Sequence, residues 1–127
     1  MSLAEFRFDQ VPVFPGAEKA PSPCLVLFYA DWCGHCQTFK PRFPRIATDI
    51  PHYRVDASQA NALCREYQVR GFPTILWVDS VQPGGVRRFR GPRTTQRLER
   101  FVALLQRGPL TQTELESGME LELGLER

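Results

Sequence analysis

The sequence predicts one α/β domain with a mixed central sheet of four to five strands flanked by helices. The chain has 127 residues, 43% of them hydrophobic and 24% charged, which is ordinary for a single globular domain with its own core. The run Leu25–Ala30 is apolar throughout, as expected of a central strand covered on both faces. Along the chain the pattern reads βαβα followed by ββα, and that order places helices on both sides of a mixed sheet.

The N-terminal elements are predicted to be an edge strand and a loop. Residues 5–11 are suited to a short edge strand. Four prolines and a glycine between Pro12 and Pro23 exclude a regular helix there. The first segment therefore ends in a Pro-rich lead-in to the central strand.

A helix is predicted to begin near Cys33, directly after the central strand. Four apolar residues at steps of four, three and four would form one buried stripe on it: Phe39, Phe43, Ile46 and Ile50. Pro41 should kink this helix, because proline removes a backbone donor and its ring crowds the preceding turn.

The second half of the chain contains shorter elements. They are a strand over 53–56, a brief helix over 60–67, a strand over 74–78, and an antiparallel strand over 86–90 after a turn at 83–85. A closing helix over 94–106 ends at Gly108-Pro109. The remaining residues are rich in glutamate and show no clear apolar stripe, so we expect a loosely ordered tail.

Charge and hydropathy exclude two classes of partner. The net charge is +2, but residues 108–127 hold five glutamates and one arginine, while 86–107 hold seven arginines. The aromatic residues and lysines of a nucleic-acid patch are missing among these arginines, so we expect a solvated face and no nucleic acid. No apolar run approaches the ~20 residues of a membrane span. The N-terminus shows no signal peptide, so we expect either a cytoplasmic protein or an excised domain of a secretory-pathway protein.

The chemistry is concentrated in Trp32-Cys33-Gly34-His35-Cys36. One thiol lies in the first turn of the predicted helix, where free N–H groups and the helix dipole favour a thiolate. The other lies one turn later on the same face, within disulfide reach. This spacing predicts a thiol–disulfide oxidoreductase whose cofactor is the disulfide itself. A metal site is not expected, because the remaining ligand candidates form no second close pair: Cys24, Cys64, His35 and His52.

Four motifs in order resemble the thioredoxin superfamily. They are the strand and active-site motif at 28–36, the proline five residues past the second cysteine, Val69–Thr74 as a cis-proline loop, and Gly91–Arg93 as an arginine loop. The Cys-Gly-His-Cys version looks most like the catalytic domains of protein disulfide isomerases. We accordingly divide the chain into an N-terminal edge strand and lead-in at 1–24, a thioredoxin-like catalytic domain at 25–107 and an acidic tail at 108–127.

The resemblance implies a role for each site residue. Cys33 is the nucleophile and Cys36 resolves the mixed disulfide. His35 favours the reduced form, which raises the reduction potential by about 30 mV for each pKa unit. Arg93 assists the Cys36 thiolate. The implied substrate-binding residues are Trp32, Gly34, Phe72 and Pro73, with the Phe72 backbone free to pair with an extended peptide.

One position departs from the family pattern. Six residues before the first cysteine the family carries a buried acid that assists proton transfer at the second cysteine, and this chain has Leu27 there. We therefore expect a slower resolving step. Cys24, about 20 Å from the motif along its strand, and Cys64 are not expected to be catalytic.

The expected function is a monomeric disulfide oxidoreductase of isomerase type. Its partners would be proteins with thiols or disulfides, and a redox partner protein or glutathione. A thioredoxin-like reductase is the alternative within enzymes. A redox-impaired binding module of a larger protein is the alternative outside them.

Overall fold

A mixed five-stranded sheet in the order β2-β1-β3-β4-β5 forms the centre of the chain. The computed structural model describes residues 7–81, 85–108, 112–113 and 125–126. The strands are Cys24–Tyr29 (β1), His52–Asp56 (β2), Thr74–Val78 (β3), Val86–Phe89 (β4) and Leu125–Glu126 (β5). The helices are Gly34–Phe39 (α1), Asn61–Glu66 (α2) and Thr95–Arg107 (α3). The α/β fold class predicted from the sequence is confirmed.

Strand β1 organises both layers of the core. All six of its residues are buried, and it pairs in parallel with β2 and antiparallel with β3. Because side chains alternate along a strand, Leu25, Leu27 and Tyr29 join one buried cluster, whereas Val26 and Phe28 join another on the opposite face. A fully apolar strand is thus required by its position between two covered faces.

The helix after β1 is shorter than predicted. We expected a kink at Pro41, but α1 ends at Phe39, and the next regular element is a 3-10 turn at Phe43–Arg45. Pro41 cannot donate to the carbonyl of Gln37, so the helical ladder stops there. The apolar stripe is buried all the same, with each of its members less than a tenth exposed: Phe39, Phe43, Ile46 and Ile50.

The predicted edge strand over 5–11 is wrong in its described part. Residues Phe8–Gln10 form a 3-10 turn, which the side chain of Gln10 closes by accepting the Arg7 N–H at 2.9 Å. The chain pairs with the edge of the sheet only after this turn. Arg54 N–H donates to Pro12 O, and Phe14 N–H donates to Arg54 O, both at 3.0 Å. Local polar bonds around the turn therefore override the strand-like pattern of residues 5–11.

The C-terminal elements match the prediction closely. Strand β4 returns antiparallel to β3, although residues 82–84 of the predicted turn lie outside the described residues. Thr94 caps α3, its hydroxyl accepting the Arg97 N–H at 3.1 Å. Leu125–Glu126 pair antiparallel with β4, a strand that the expectation of a loosely ordered tail did not include. Most of the rest of that tail lies outside the described residues.

Candidate active site

Cys33 lies at the junction between β1 and α1. It is the N-cap of α1 with an extended backbone, and its sulfur accepts the Cys36 N–H at 3.3 Å. Ala30 O, directly after β1, accepts the Cys33 N–H at 3.1 Å. The turn between strand and helix thus holds the first thiol at the start of the helix, where backbone N–H groups have no carbonyl partner within the helix.

The loop before β3 supplies the second wall of the site. The Phe72–Pro73 peptide bond is cis, as the resemblance implies. Thr74 closes the loop by donating its hydroxyl to Gly71 O at 2.7 Å, and the Cys33 thiol donates to Phe72 O at 3.3 Å. Trp32 stands beside this contact with 79% of its surface exposed, its ring edge-on to Phe72 at 5.9 Å between centroids. Trp32 is therefore a surface residue of the site and not part of the core.

The surroundings of Cys33 favour its thiolate. Burial alone would raise the pKa of this thiol. The hydrogen bonds from the Cys36 side chain and from the Cys36 and His35 N–H groups, with the charge of Arg93, outweigh burial and lower the pKa below its usual value. A thiol of this kind is the stronger nucleophile near neutral pH.

The surroundings of Cys36 do the reverse. Its residue surface is 1% exposed, and it belongs to the same buried cluster as Leu27, which is also 1% exposed. Burial, the hydrogen bond to the Cys33 sulfur and the Cys33 charge together raise the pKa of Cys36 to about 11, against opposing effects of the Ala30 backbone and the Lys40 charge. Cys36 is therefore protonated at neutral pH.

Lys40 is a residue that sequence reasoning missed. Its ammonium lies 3.0 Å from Asp31 Oδ1 and 4.6 Å from the centre of the Tyr29 ring, and its side chain is 18% exposed. Its charge lowers the pKa of Cys36. The available signal was its spacing of four residues from Cys36 in a helical segment, which places both side chains on one face.

The other predicted site residues lie around Cys33. Gly34 opens α1, and a Cβ atom added there would meet no atom within 4 Å. His35 is exposed, and its backbone N–H contributes to lowering the Cys33 pKa. His35 and Arg93 line one shallow hollow. The charge of Arg93 acts on Cys33 in this structure, and its action on Cys36 stays a prediction.

A cleft of about 370 Å³ continues from the site along β3 and β4. Phe72 and Pro73 line it on the side of the cis-proline loop, and three arginines also line it: Arg88, Arg90 and Arg93. The cleft thus extends the face on which the Cys33 sulfur meets the Phe72 carbonyl.

The remaining cysteines lie apart from this chemistry. All four cysteines are free thiols, with Cys24 buried in β1 and Cys64 partly exposed on α2. Burial raises the pKa of Cys24 to about 11 and also raises that of Cys64. Within the described part of the chain, no group of three or more His, Cys, Asp or Glu side chains could hold a metal ion. None of the helices described here has the length and apolar content to cross a membrane.

Comparisons of this chain with known proteins agree on one family. Residues 16–104 match the family model described as thioredoxin. A mitochondrial thioredoxin domain-containing protein of Schizosaccharomyces pombe is 38% identical over 94 residues, covering 67% of this chain and 26% of that protein. Protein disulfide-isomerase 1 of Caenorhabditis elegans is 37% identical over 105 residues, covering 77% of this chain and 21% of that protein. The chain therefore spans about a quarter of the length of these relatives.

Solved structures agree with the sequence comparisons. The first thioredoxin domain of mouse protein disulfide-isomerase A4 superposes with a TM-score of 0.60 at 30% identity, covering 71% of this chain and 67% of that one. A crystal structure of human ERp44 superposes with a TM-score of 0.64 over 85% of this chain at 20% identity, a likeness of fold alone.

Proposed function

This chain belongs to the thioredoxin family, and we propose that it is a thiol–disulfide oxidoreductase of protein disulfide isomerase type. One observation carries the proposal: two thiols lie one helical turn apart, the Cys33 sulfur accepts the Cys36 N–H at 3.3 Å, and the pKa of the first is lowered while that of the second is raised to about 11. A nucleophile that is ready to attack beside a partner kept protonated is the arrangement that sequential disulfide exchange requires.

The reaction begins at Cys33. Its thiolate attacks a substrate disulfide, one substrate sulfur leaves as a thiolate, and the other is held in a mixed disulfide with Cys33. Cys36 then loses its proton and attacks the Cys33 sulfur, which releases the second substrate thiolate and leaves the Cys33–Cys36 disulfide. The reverse sequence oxidises a substrate dithiol and returns both cysteines to thiols.

The substrate backbone would be held by the cis-proline loop. In the reduced protein the Cys33 thiol donates to Phe72 O. Loss of the Cys33 proton removes that donor, so the Phe72 carbonyl becomes available to a backbone N–H of an extended peptide. Activation of the nucleophile and exposure of the docking carbonyl thus occur in the same deprotonation. Trp32 and the side chain of Phe72 add apolar surface beside the peptide.

The activity is tested by reduction of insulin and by refolding of reduced ribonuclease. The wild-type chain should catalyse both reactions, and Cys33→Ser should reduce both rates to background. Cys64→Ser is the matched control, because Cys64 is a free thiol away from the site, and it should leave both rates unchanged. Equal background rates for the wild type and Cys33→Ser would favour a binding module without redox activity.

The reduction potential of the Cys33–Cys36 pair decides between isomerase and reductase. We propose that His35 raises this potential by stabilising the reduced form, so that the value lies near that of glutathione or above it. A much lower value would favour the thioredoxin-like reductase. His35→Pro should lower the potential, and an unchanged potential would remove His35 from this role.

The partners follow from the same chemistry, and the compartment sets the direction of the exchange. We propose protein thiols and disulfides as substrates, with glutathione or a redox protein restoring the active form. In the secretory pathway the pair would donate disulfides, whereas in the cytoplasm it would be kept reduced. Microscopy of the tagged full-length gene product, together with its trapped redox state, distinguishes the two compartments.

A further inference from the structure

Cys36 must be deprotonated in surroundings that provide no carboxylate on β1. Leu27 is the β1 residue where the family resemblance implies an acid, and it is buried in the cluster that contains Cys36. We propose that Lys40, whose ammonium group is held in place by Asp31, stabilises the Cys36 thiolate during resolution. This inference rests on the proposed function, since it concerns the second step of that reaction.

Backbone geometry directs Lys40 toward Cys36. Lys40 has right-handed helical dihedral angles and donates its N–H to Cys36 O at 2.8 Å, so it completes the last turn of α1. Side chains four residues apart lie on one helix face, and each leans toward the N-terminus of the helix. The Lys40 stem therefore runs back over the turn that carries Cys36.

Three groups hold the ammonium. Asp31 Oδ1 accepts from Nζ at 3.0 Å, and the ring centres of Tyr29 and Phe8 lie 4.6 Å and 5.5 Å from Nζ. Aromatic faces attract a cation and also displace water from it. With 18% of the Lys40 side chain exposed, the charge is screened less than that of a lysine in free solution.

The other charged groups around the pair are engaged elsewhere. Arg54 donates to Val11 O at 2.6 Å and to the Tyr29 hydroxyl at 3.2 Å. Arg93 acts on Cys33, whose sulfur carries no charge in the mixed disulfide. His35 is on the exposed side of α1. Among the residues described, Lys40 is therefore the cation whose charge acts on Cys36 in this structure.

The assisted step is the resolution of the mixed disulfide. The Cys36 proton goes to solvent, the thiolate electron pair forms the bond to the Cys33 sulfur, and the bond between Cys33 and the substrate sulfur breaks. The substrate sulfur leaves as a thiolate. A fixed positive charge lowers the free energy of the Cys36 thiolate and thus increases the fraction of reactive molecules at a given pH.

The two steps can be separated with an aryl disulfide whose released thiolate absorbs visible light. Attack by Cys33 releases one coloured thiolate, and resolution by Cys36 releases a second, so stopped-flow absorbance gives two rates. A Cys64→Ser background removes the partly exposed thiol from the signal. Each rate is measured from about pH 6 to pH 9 for the background chain, Lys40→Met, Lys40→Arg and Lys19→Met. Lys19 is exposed and is the only other lysine of the chain.

Lys40→Met should slow the second phase by about three- to tenfold near pH 7 and shift its pH profile to higher pH, while the first phase is unchanged. Lys40→Arg should restore the second phase, and Lys19→Met should not affect it. An unchanged second phase in Lys40→Met, or the same loss in Lys19→Met, overturns the inference. Absence of both phases in the background chain would instead contradict the proposed function.

Cys24 provides an internal control for folding. It is 1% exposed, so it reacts with the reagent only when the domain opens, and this gives a third, slow release. If Lys40→Met accelerates that release, Lys40→Gln keeps a polar side chain and repeats the comparison in a folded chain. A Lys40→Gln variant with a normal second phase and a protected Cys24 overturns the inference as well.

Discussion

The Cys33 side and the Cys36 side of the site lie one helical turn apart and differ in almost every physical respect. Around Cys33 are hydrogen-bond donors and the Arg93 charge, which lower the thiol pKa, and the exposed indole of Trp32 lies beside them. Around Cys36 are buried apolar residues, and they raise the thiol pKa to about 11. Two identical side chains thus acquire opposite acidity from burial, hydrogen-bond direction and nearby charge.

This difference assigns one step of the exchange to each side. A thiolate that is present before the substrate arrives makes the attack fast. A partner that stays protonated does not close the disulfide until it ionises. If this assignment is correct, substitutions on the Cys33 side should change the attack and those on the Cys36 side should change the resolution.

The largest effect is expected from removing one sulfur at a time. Cys33→Ser should abolish reaction with a disulfide substrate, because the thiolate of the pair is lost. Cys36→Ser should keep the attack but stall at the mixed disulfide, which intact-protein mass spectrometry detects as a stable adduct on Cys33. A stable adduct on Cys36 in the Cys33→Ser chain would reverse the assignment of the two sides.

The second-largest effect is expected in the pH dependence of the two steps. The rate of attack should level off once Cys33 is ionised, below the usual pKa range of a thiol. In the mixed disulfide the Cys33 sulfur carries no charge, but burial still raises the Cys36 pKa, so the rate of resolution should keep rising by about tenfold per pH unit while the pH stays below that pKa. The two phases of the aryl disulfide reaction measure both profiles. Profiles with the same midpoint would contradict the comparison.

An acidic residue on β1 should accelerate the resolution step carried out by Cys36. Burial would raise the pKa of the carboxyl group in Leu27→Glu toward neutrality, where it could accept the Cys36 proton. We expect resolution to become about tenfold faster, with the attack rate unchanged. Leu27→Gln is the matched control, since it buries a polar group without a base. Urea unfolding of both variants measures the cost of burial, and a folded Leu27→Glu chain with no faster resolution would count against the missing acid as the cause.

The smallest effect is expected from substitution of the exposed Trp32 beside Cys33. Trp32→Ala removes apolar surface beside Phe72, so the KM for a peptide disulfide should rise a few-fold while the rate of resolution stays the same. Trp32→Phe, which keeps an aromatic edge, should recover most of the loss. A change in the resolution rate in Trp32→Ala would show that the two sides are coupled.

Much of this architecture could be predicted from local signals. The apolar run of β1, the strand β3 and the cap and glycine stop of α3 each depend on neighbouring residues, and all three elements form. The spacing of Cys33 and Cys36 is given directly by the sequence. The cis bond before Pro73 followed from a resemblance, since the residues alone permit either isomer.

The errors came where a local pattern competed with another constraint. Periodicity extended α1 through Pro41, yet the missing backbone donor ended the helix at Phe39, and the stripe is buried by a turn instead. In the described part of residues 5–11, the strand pattern yielded to a turn closed by Gln10. The position of Lys40 depends on Asp31, Tyr29 and Phe8 together, and that convergence of three segments is visible only in three dimensions.

The 79% exposure of Trp32 has an optical consequence. The other tryptophan, Trp77, is 4% exposed in the middle of β3, so the two indoles emit from water and from the protein interior, respectively. Emission at longer wavelength therefore comes from a fluorophore next to Cys33 and reports on sulfur oxidation and ligand contact. Emission at shorter wavelength reports on the integrity of the sheet. The chain carries two spectrally distinct native labels, one for its chemistry and one for its fold.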